Sequence, residues 1–211
     1  MSAGANMTTA PTPTNGKQVP RSQRGPAPTR IVVAYGFWLF LLSDIIVFAA
    51  FFAAYAVLSK HTAGGPTGPQ LFDREHVLIE TACLLFSSFT CGMLGLACER
   101  RNALFTYLFG AATFALGAAF VGLELSEFIH LVATGAGPQR SAFLSAFFAL
   151  VGLHGIHVAL GLAWLLAMMA QVATIGMSPM VVGRLRCFAL FWHALDVVWI
   201  GVFTIVYLGA R

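Results

Sequence analysis

The chain has 211 residues, of which 58% are hydrophobic and 9% charged, with a formal net charge of +4 at pH 7. An ordinary soluble domain carries about a quarter of its residues as charges, so a water-surrounded globule is excluded. The 12 Lys and Arg residues lie almost wholly in tails and loops, without the basic stripe or stacking platform that a nucleic-acid partner needs.

Residues 1–30 are rich in Thr, Pro and Gly, carry no acidic residue, and show no short apolar run leading to a small-residue cleavage site. This composition predicts a retained, disordered cytoplasmic tail, with a membrane domain over residues 31–211. A spanning helix needs roughly 20 apolar residues at about 1.5 Å each. Five stretches meet that requirement: Ile31–Leu58, Val77–Ala97, Ala103–His130, Ala142–Ala170 and Cys187–Leu208. The fold class is therefore all-α, an integral membrane bundle of five transmembrane helices.

With the N-terminus inside, Lys17, Arg21, Arg24, Arg30, Arg100, Arg101, Arg184 and Arg186 lie on the cytoplasmic side, against Lys60, Arg74, Arg140 and Arg211 outside. The excess of positive residues inside predicts N-in and C-out. Gly64-Gly65-Pro66 and Gly68-Pro69 break the chain between the first helix and the rest. The turn Cys98–Asn102 is so short that the second and third helices must be antiparallel neighbours. Gly135–Pro138 closes the third onto the fourth, and a loop over Ile175–Arg186 is expected before the fifth. Recurrent small residues such as Gly92, Gly95, Gly110, Gly117, Gly152, Gly155 and Gly161 predict close helix packing. Cys83, Cys91, Cys98 and Cys187 form no Cys-x-x-Cys pair and read as small apolar filling.

The ionisable residues inside these stretches are the informative ones, because such groups are costly in hydrocarbon and should face protein or a cavity. Asp44 lies near the middle of the first helix, and Glu80 opens the second. Glu124, Glu127 and His130 fall at three-residue spacing on one face of the third, where they could share protons or pair with His76, Arg140 or one another. His154 and His157 lie mid-way along the fourth helix, while the fifth carries Trp192, His193, Asp196 and Trp199. Counting helical rise puts His157 and Asp196 within about a turn of the same depth, which predicts a hydrogen bond between their helices. His-x-x-His with His193 could also suggest a metal or haem site, but the multi-His clusters of membrane metalloenzymes are missing.

Several segments carry a specific resemblance. Gly122-Leu-Glu-Leu-Ser-Glu127, Ser141-Ala-Phe-Leu-Ser-Ala-Phe-Phe148, His154-Gly-Ile-His-Val158, Phe191-Trp-His-Ala-Leu-Asp-Val-Val-Trp199 and Trp38-Leu-Phe-Leu-Leu-Ser-Asp44 resemble motifs of the subunit III family of haem–copper terminal oxidases. The similarity runs in order over roughly residues 31–210. Five helices rather than seven make the chain similar to the cytochrome bo ubiquinol oxidase branch of that family, with five-helix cytochrome c oxidase subunits the near alternative. Ser126 stands where many relatives carry Tyr.

The resemblance implies an accessory, non-catalytic subunit of a proton-pumping oxygen reductase in the bacterial inner membrane. Haem and copper are then expected in a partner subunit I, with no cofactor or metal in this chain. The implied partners are subunits I, II and IV together with membrane phospholipids, and the implied roles are support of subunit I, lipid binding and proton uptake. Asp44, Glu80, Glu124, Glu127, His130, His154, His157, Trp192, His193, Asp196 and Trp199 become structural, interface or lipid-cleft candidates rather than catalysts. Readings from other classes are a small proton-coupled transporter using the same residues as a relay, and a self-contained haem or metal enzyme.

Overall fold

The computed structural model describes residues 29–62 and 74–209. Most of the expected N-terminal tail, residues 1–28, and the centre of the first connection lie outside the described residues. Within them are five membrane-length helices and no strand: α1 (Thr29–Leu58), α2 (Arg74–Glu99), α3 (Ala103–Ala133), α4 (Ala142–Ile175) and α5 (Pro179–Val202), the last continued by a π-helical turn, Phe203–Leu208. All five are apolar on nearly every side, as lipid requires. Packing is therefore decided by residue size and by the few polar side chains rather than by a hydrophobic stripe.

The ends are set by local chemistry. Asn102 accepts from the Phe105 N–H at the start of α3, and Ser141 from the Leu144 N–H at the start of α4, each satisfying one orphan amide of a first turn. The expected loop over Ile175–Arg186 is instead a tight turn. Gly176 takes a positive φ of 74° after α4, Ser178 accepts from the Val181 N–H, and Pro179 opens α5. Proline suits a first helical turn because its missing N–H has no partner there anyway. Arg184 and Arg186 thus belong to the helix, where they meet Gln171 at 2.7 Å and Glu99 at 3.0 Å.

Helices α2, α3, α4 and α5 form a ring in which sequence neighbours run antiparallel and α5 returns beside α2. Trp192 fills the centre of one half: a Cβ added at Gly117 of α3 or Gly161 of α4 would lie 2.9 Å from its ring. The small residues there admit an indole, the close approach that glycine permits. Helix α1 stands outside the ring against α4 and α5, with Phe37 on Trp164, Phe48 on His157 and Tyr55 on Phe143. Only 11% of its apolar heart is buried, against 28–39% for the others, so α1 is the most lipid- or partner-facing element. The end of the bundle holding the α2–α3 and α4–α5 turns is called the N-side below, and the end holding the α3–α4 turn the C-side.

Candidate functional site

The polar residues at membrane depth fall into four places. The first is a carboxyl cluster in the C-side half of the ring. Glu80 of α2 is fully buried and Glu124 of α3 nearly so. Helical rise puts Glu80 about 9 Å from the start of α2, and Glu124 and Glu127 about 14 and 9 Å from the end of α3, so antiparallel packing brings all three together. They act on one another electrostatically, and on Tyr207. Tyr207 donates its hydroxyl to Glu127 at 3.1 Å. His76 Nε2 stands 3.4 Å from Glu80 Oε1 and 3.4 Å from the Leu123 carbonyl. Both contacts are long for a hydrogen bond, and the Glu80 oxygens have no such partner among the described residues. The Glu124 carboxyl rests on the bare backbone of Gly155, where an added Cβ would lie 2.5 Å from both oxygens.

Of the partners considered from sequence, His76 is the one the fold supplies. His130 is exposed at the end of α3, and Arg140 caps the Gly135 carbonyl instead. Tyr207 carried no spacing signal. It reaches the cluster because the π turn winds wider than an α-helix and brings its ring round to Trp199, 6.2 Å between centroids.

The second place is an aromatic box around His154, which is fully buried with Phe48, Phe120 and Trp199 at centroid distances of 6.2, 5.7 and 5.2 Å. Trp199 donates its indole N–H to Thr81 at 3.1 Å, and Trp192 donates to Ser87 at 3.1 Å. These two bonds stitch α5 to α2 on the inside of the ring. The expected His157–Asp196 hydrogen bond does not form. His157 Nδ1 donates back to the Leu153 carbonyl at 2.7 Å on its own helix, since a carbonyl can only accept. Equal depth was a sound inference, but His157 turns toward α1 and Asp196 toward α2.

The third place holds Asp196. Beside it, Ser88 Oγ of α2 and His193 Nδ1 are hydrogen-bonded at 2.7 Å. Ser88, His193 and Asp196 line an open groove of about 440 Å³ between α2 and α5. Ser88 was not singled out by the sequence, since a serine inside an apolar run carries no pattern.

The fourth is a crevice of about 10 Å³ in which Asp44 faces Phe191, Leu195 and Val198 of α5. The Asp44 carboxyl lies on the side of α1 that meets α5, with Oδ2 buried. Across all four places, no group of three or more His, Cys, Asp or Glu among the described residues is disposed to hold a metal ion.

Residues 25–210 match the model of the family described as cytochrome c oxidase subunit III. The chain is 53% identical over 174 residues to the cytochrome bo(3) ubiquinol oxidase subunit 3 of Pseudomonas aeruginosa, covering 82% of this chain and 83% of that one. It is 52% identical over 175 residues to the protein of the same name from Pseudomonas putida, covering 82% and 84%. Against the quinol oxidase subunit 3 of Bacillus subtilis it is 43% identical over 173 residues, covering 82% and 85%.

Proposed function

The chain belongs to the cytochrome c oxidase subunit III family, and from that premise we propose that it is the accessory third subunit of a haem–copper ubiquinol oxidase of the bacterial inner membrane. The observation that carries this reading is the match along more than four-fifths of both chains to relatives named as ubiquinol oxidase subunit 3. Supporting it, the intramembrane polar residues contact other helices of the same chain: Trp199 with Thr81, Trp192 with Ser87, and Tyr207 with Glu127. Side chains so used hold a bundle together.

In this reading the haem and copper centres reside in subunit I, subunits II and IV complete the complex, and phospholipids fill its clefts. The third subunit steadies subunit I and its proton supply. The N-terminus lies in the cytoplasm and the C-terminus outside, as the distribution of basic residues favours.

The test is affinity purification of the tagged chain in mild detergent, followed by absorbance spectra and oxygen uptake with ubiquinol or reduced cytochrome c. A copurifying haem partner with ubiquinol-driven uptake is the expected result. Uptake driven by cytochrome c would reassign the donor, and isolation without any haem partner would overturn the oxidase reading.

A further inference from the structure

The groove between α2 and α5 opens outward at mid-membrane depth. Ser88 is 11 residues from the N-side end of α2, and His193 is 14 from the N-side start of α5, or about 17 and 21 Å by helical rise. Both lie near the middle of a hydrocarbon layer about 30 Å thick. There the half-buried His193 lines the groove and hydrogen-bonds through Nδ1 to Ser88 at 2.7 Å. Its other ring nitrogen, Nε2, is left without a hydrogen-bond partner among the described residues. An imidazole half satisfied in lipid calls for a polar partner.

The groove also has the size and lining of a small-molecule site. Its volume of about 440 Å³ falls within the roughly 300–1,000 Å³ of such pockets, which are mostly apolar with a few polar groups. Exposed Leu85, Phe89 and Leu96 form its apolar walls. Nothing lies within 4 Å of where a Cβ on Gly92 would stand, so that stretch of the floor is bare backbone. Along α2 the lining runs from Leu85 to Leu96, about 17 Å by helical rise. A crossing helix needs a seat about 30 Å long, and the groove is too short to be one.

Depth and chemistry select the occupant. Acyl chains carry no hydrogen-bonding group, and phospholipid headgroups lie about 15 Å from the midplane. A quinol is soluble in the hydrocarbon layer and brings hydrogen-bonding oxygens on an apolar ring to this depth. His193 suits both redox states of such a molecule, because an imidazole changes role with its tautomer. When Ser88 donates to Nδ1, Nε2 carries the proton and donates to a quinone carbonyl. When Nδ1 donates to Ser88, Nε2 is bare and accepts from a quinol hydroxyl. We propose that the α2–α5 groove is a binding site for ubiquinol and ubiquinone, with one ring oxygen on His193 Nε2 and the ring lying against Phe89 and Gly92. The site holds substrate at the surface of the complex, and the choice of quinone rests on the ubiquinol oxidase reading above.

The experiment uses the whole complex, purified through this chain into lipid nanodiscs, with a photoreactive azido-ubiquinone as the probe. After irradiation, mass spectrometry is expected to find label on the groove residues of α2 and α5, and excess decylubiquinone is expected to displace it. Gly92→Leu, which fills the groove without touching this chain, should cut the displaceable label about tenfold. Gly122→Leu, at an equally open position on α3, should leave it unchanged. His193→Leu should lower the label as Gly92→Leu does, and His193→Gln, which keeps a donor and an acceptor, should restore it in part. Label that excess quinone does not displace, label that survives Gly92→Leu, or a groove left unlabelled while the haem partner copurifies overturns the quinone site alone. Absence of a haem partner from the unmodified complex overturns the oxidase reading instead.

Discussion

Replacing Gly155 with Ala tests whether the Glu124 carboxyl is held against the backbone of α4. The added Cβ would stand 2.5 Å from both carboxyl oxygens and 2.8 Å from Cδ. Carbon–oxygen contacts settle at about 3.3–3.6 Å, so one of the two must retreat by about 0.8 Å. Glu124 is only 4% exposed and has no solvent side to retreat to. Overpacking of this kind costs about 1–3 kcal/mol, against a helix-propensity gain of at most about 1 kcal/mol for Gly→Ala. A net loss is expected. Gly122→Ala, with nothing within 4 Å, should be neutral or stabilising. In a Glu124→Ala background the obstacle is gone, so Gly155→Ala should also become harmless there, a coupling of about 1–3 kcal/mol. The assay is unfolding of the purified chain in mixed micelles of rising SDS fraction, followed by tryptophan fluorescence, for the four proteins of the cycle. If Gly155→Ala behaves like Gly122→Ala, or the cycle is additive within about 0.5 kcal/mol, the carboxyl does not rest where the structure places it.

Thr81→Val leaves the buried Trp199 N–H without its acceptor and should cost about 0.6–1.7 kcal/mol, the measured average and upper end for interhelical bonds in membranes. The same micelle titration checks it, and an equal loss in a Trp199→Phe background would refute the bond. His157→Ala and Asp196→Ala should be additive when combined, because His157 bonds to the Leu153 carbonyl while Asp196 lies in the α2–α5 groove beside Ser88 and His193. A coupling above about 0.5 kcal/mol in detergent-resistance measurements would contradict that arrangement. Reporter fusions after Arg100 and Gly176 should report cytoplasm, and one after Gly209 periplasm. A cytoplasmic signal after Gly209 would defeat the N-in, C-out assignment.

Much of the fold was legible without coordinates, for reasons of solvent. Runs of apolar residues long enough to cross a bilayer are a property of the chain alone, and lipid leaves them no choice but helix. The turns at Cys98–Asn102 and Gly135–Pro138 were readable because short connections force antiparallel neighbours. The fifth helix began eight residues earlier than expected, at Pro179 instead of Cys187. Arg184 and Arg186 made that first turn look like a loop, whereas in the structure they pair with Gln171 and Glu99 at the bundle end.

The residues of the polar sites were legible one by one, and their partners were not. Sequence spacing orders side chains along a helix and gives depth by counting, which is how Glu124 and Glu127 could be read as neighbours on one face of their helix. Rotation about the helix axis leaves no such trace when every face is apolar, since lipid imposes no pattern on the outside. That rotation decided that His157 looks toward α1, that Asp44 looks toward α5, and that Asp196 shares a groove with Ser88 and His193. The wide final turn that delivers Tyr207 to Glu127 likewise had no signature in the residues that form it. Length, composition and motif order determined a five-helix member of its family, while the azimuth of each helix, set by how Trp192, Trp199 and the facing glycines fit together, was decided only when the bundle packed.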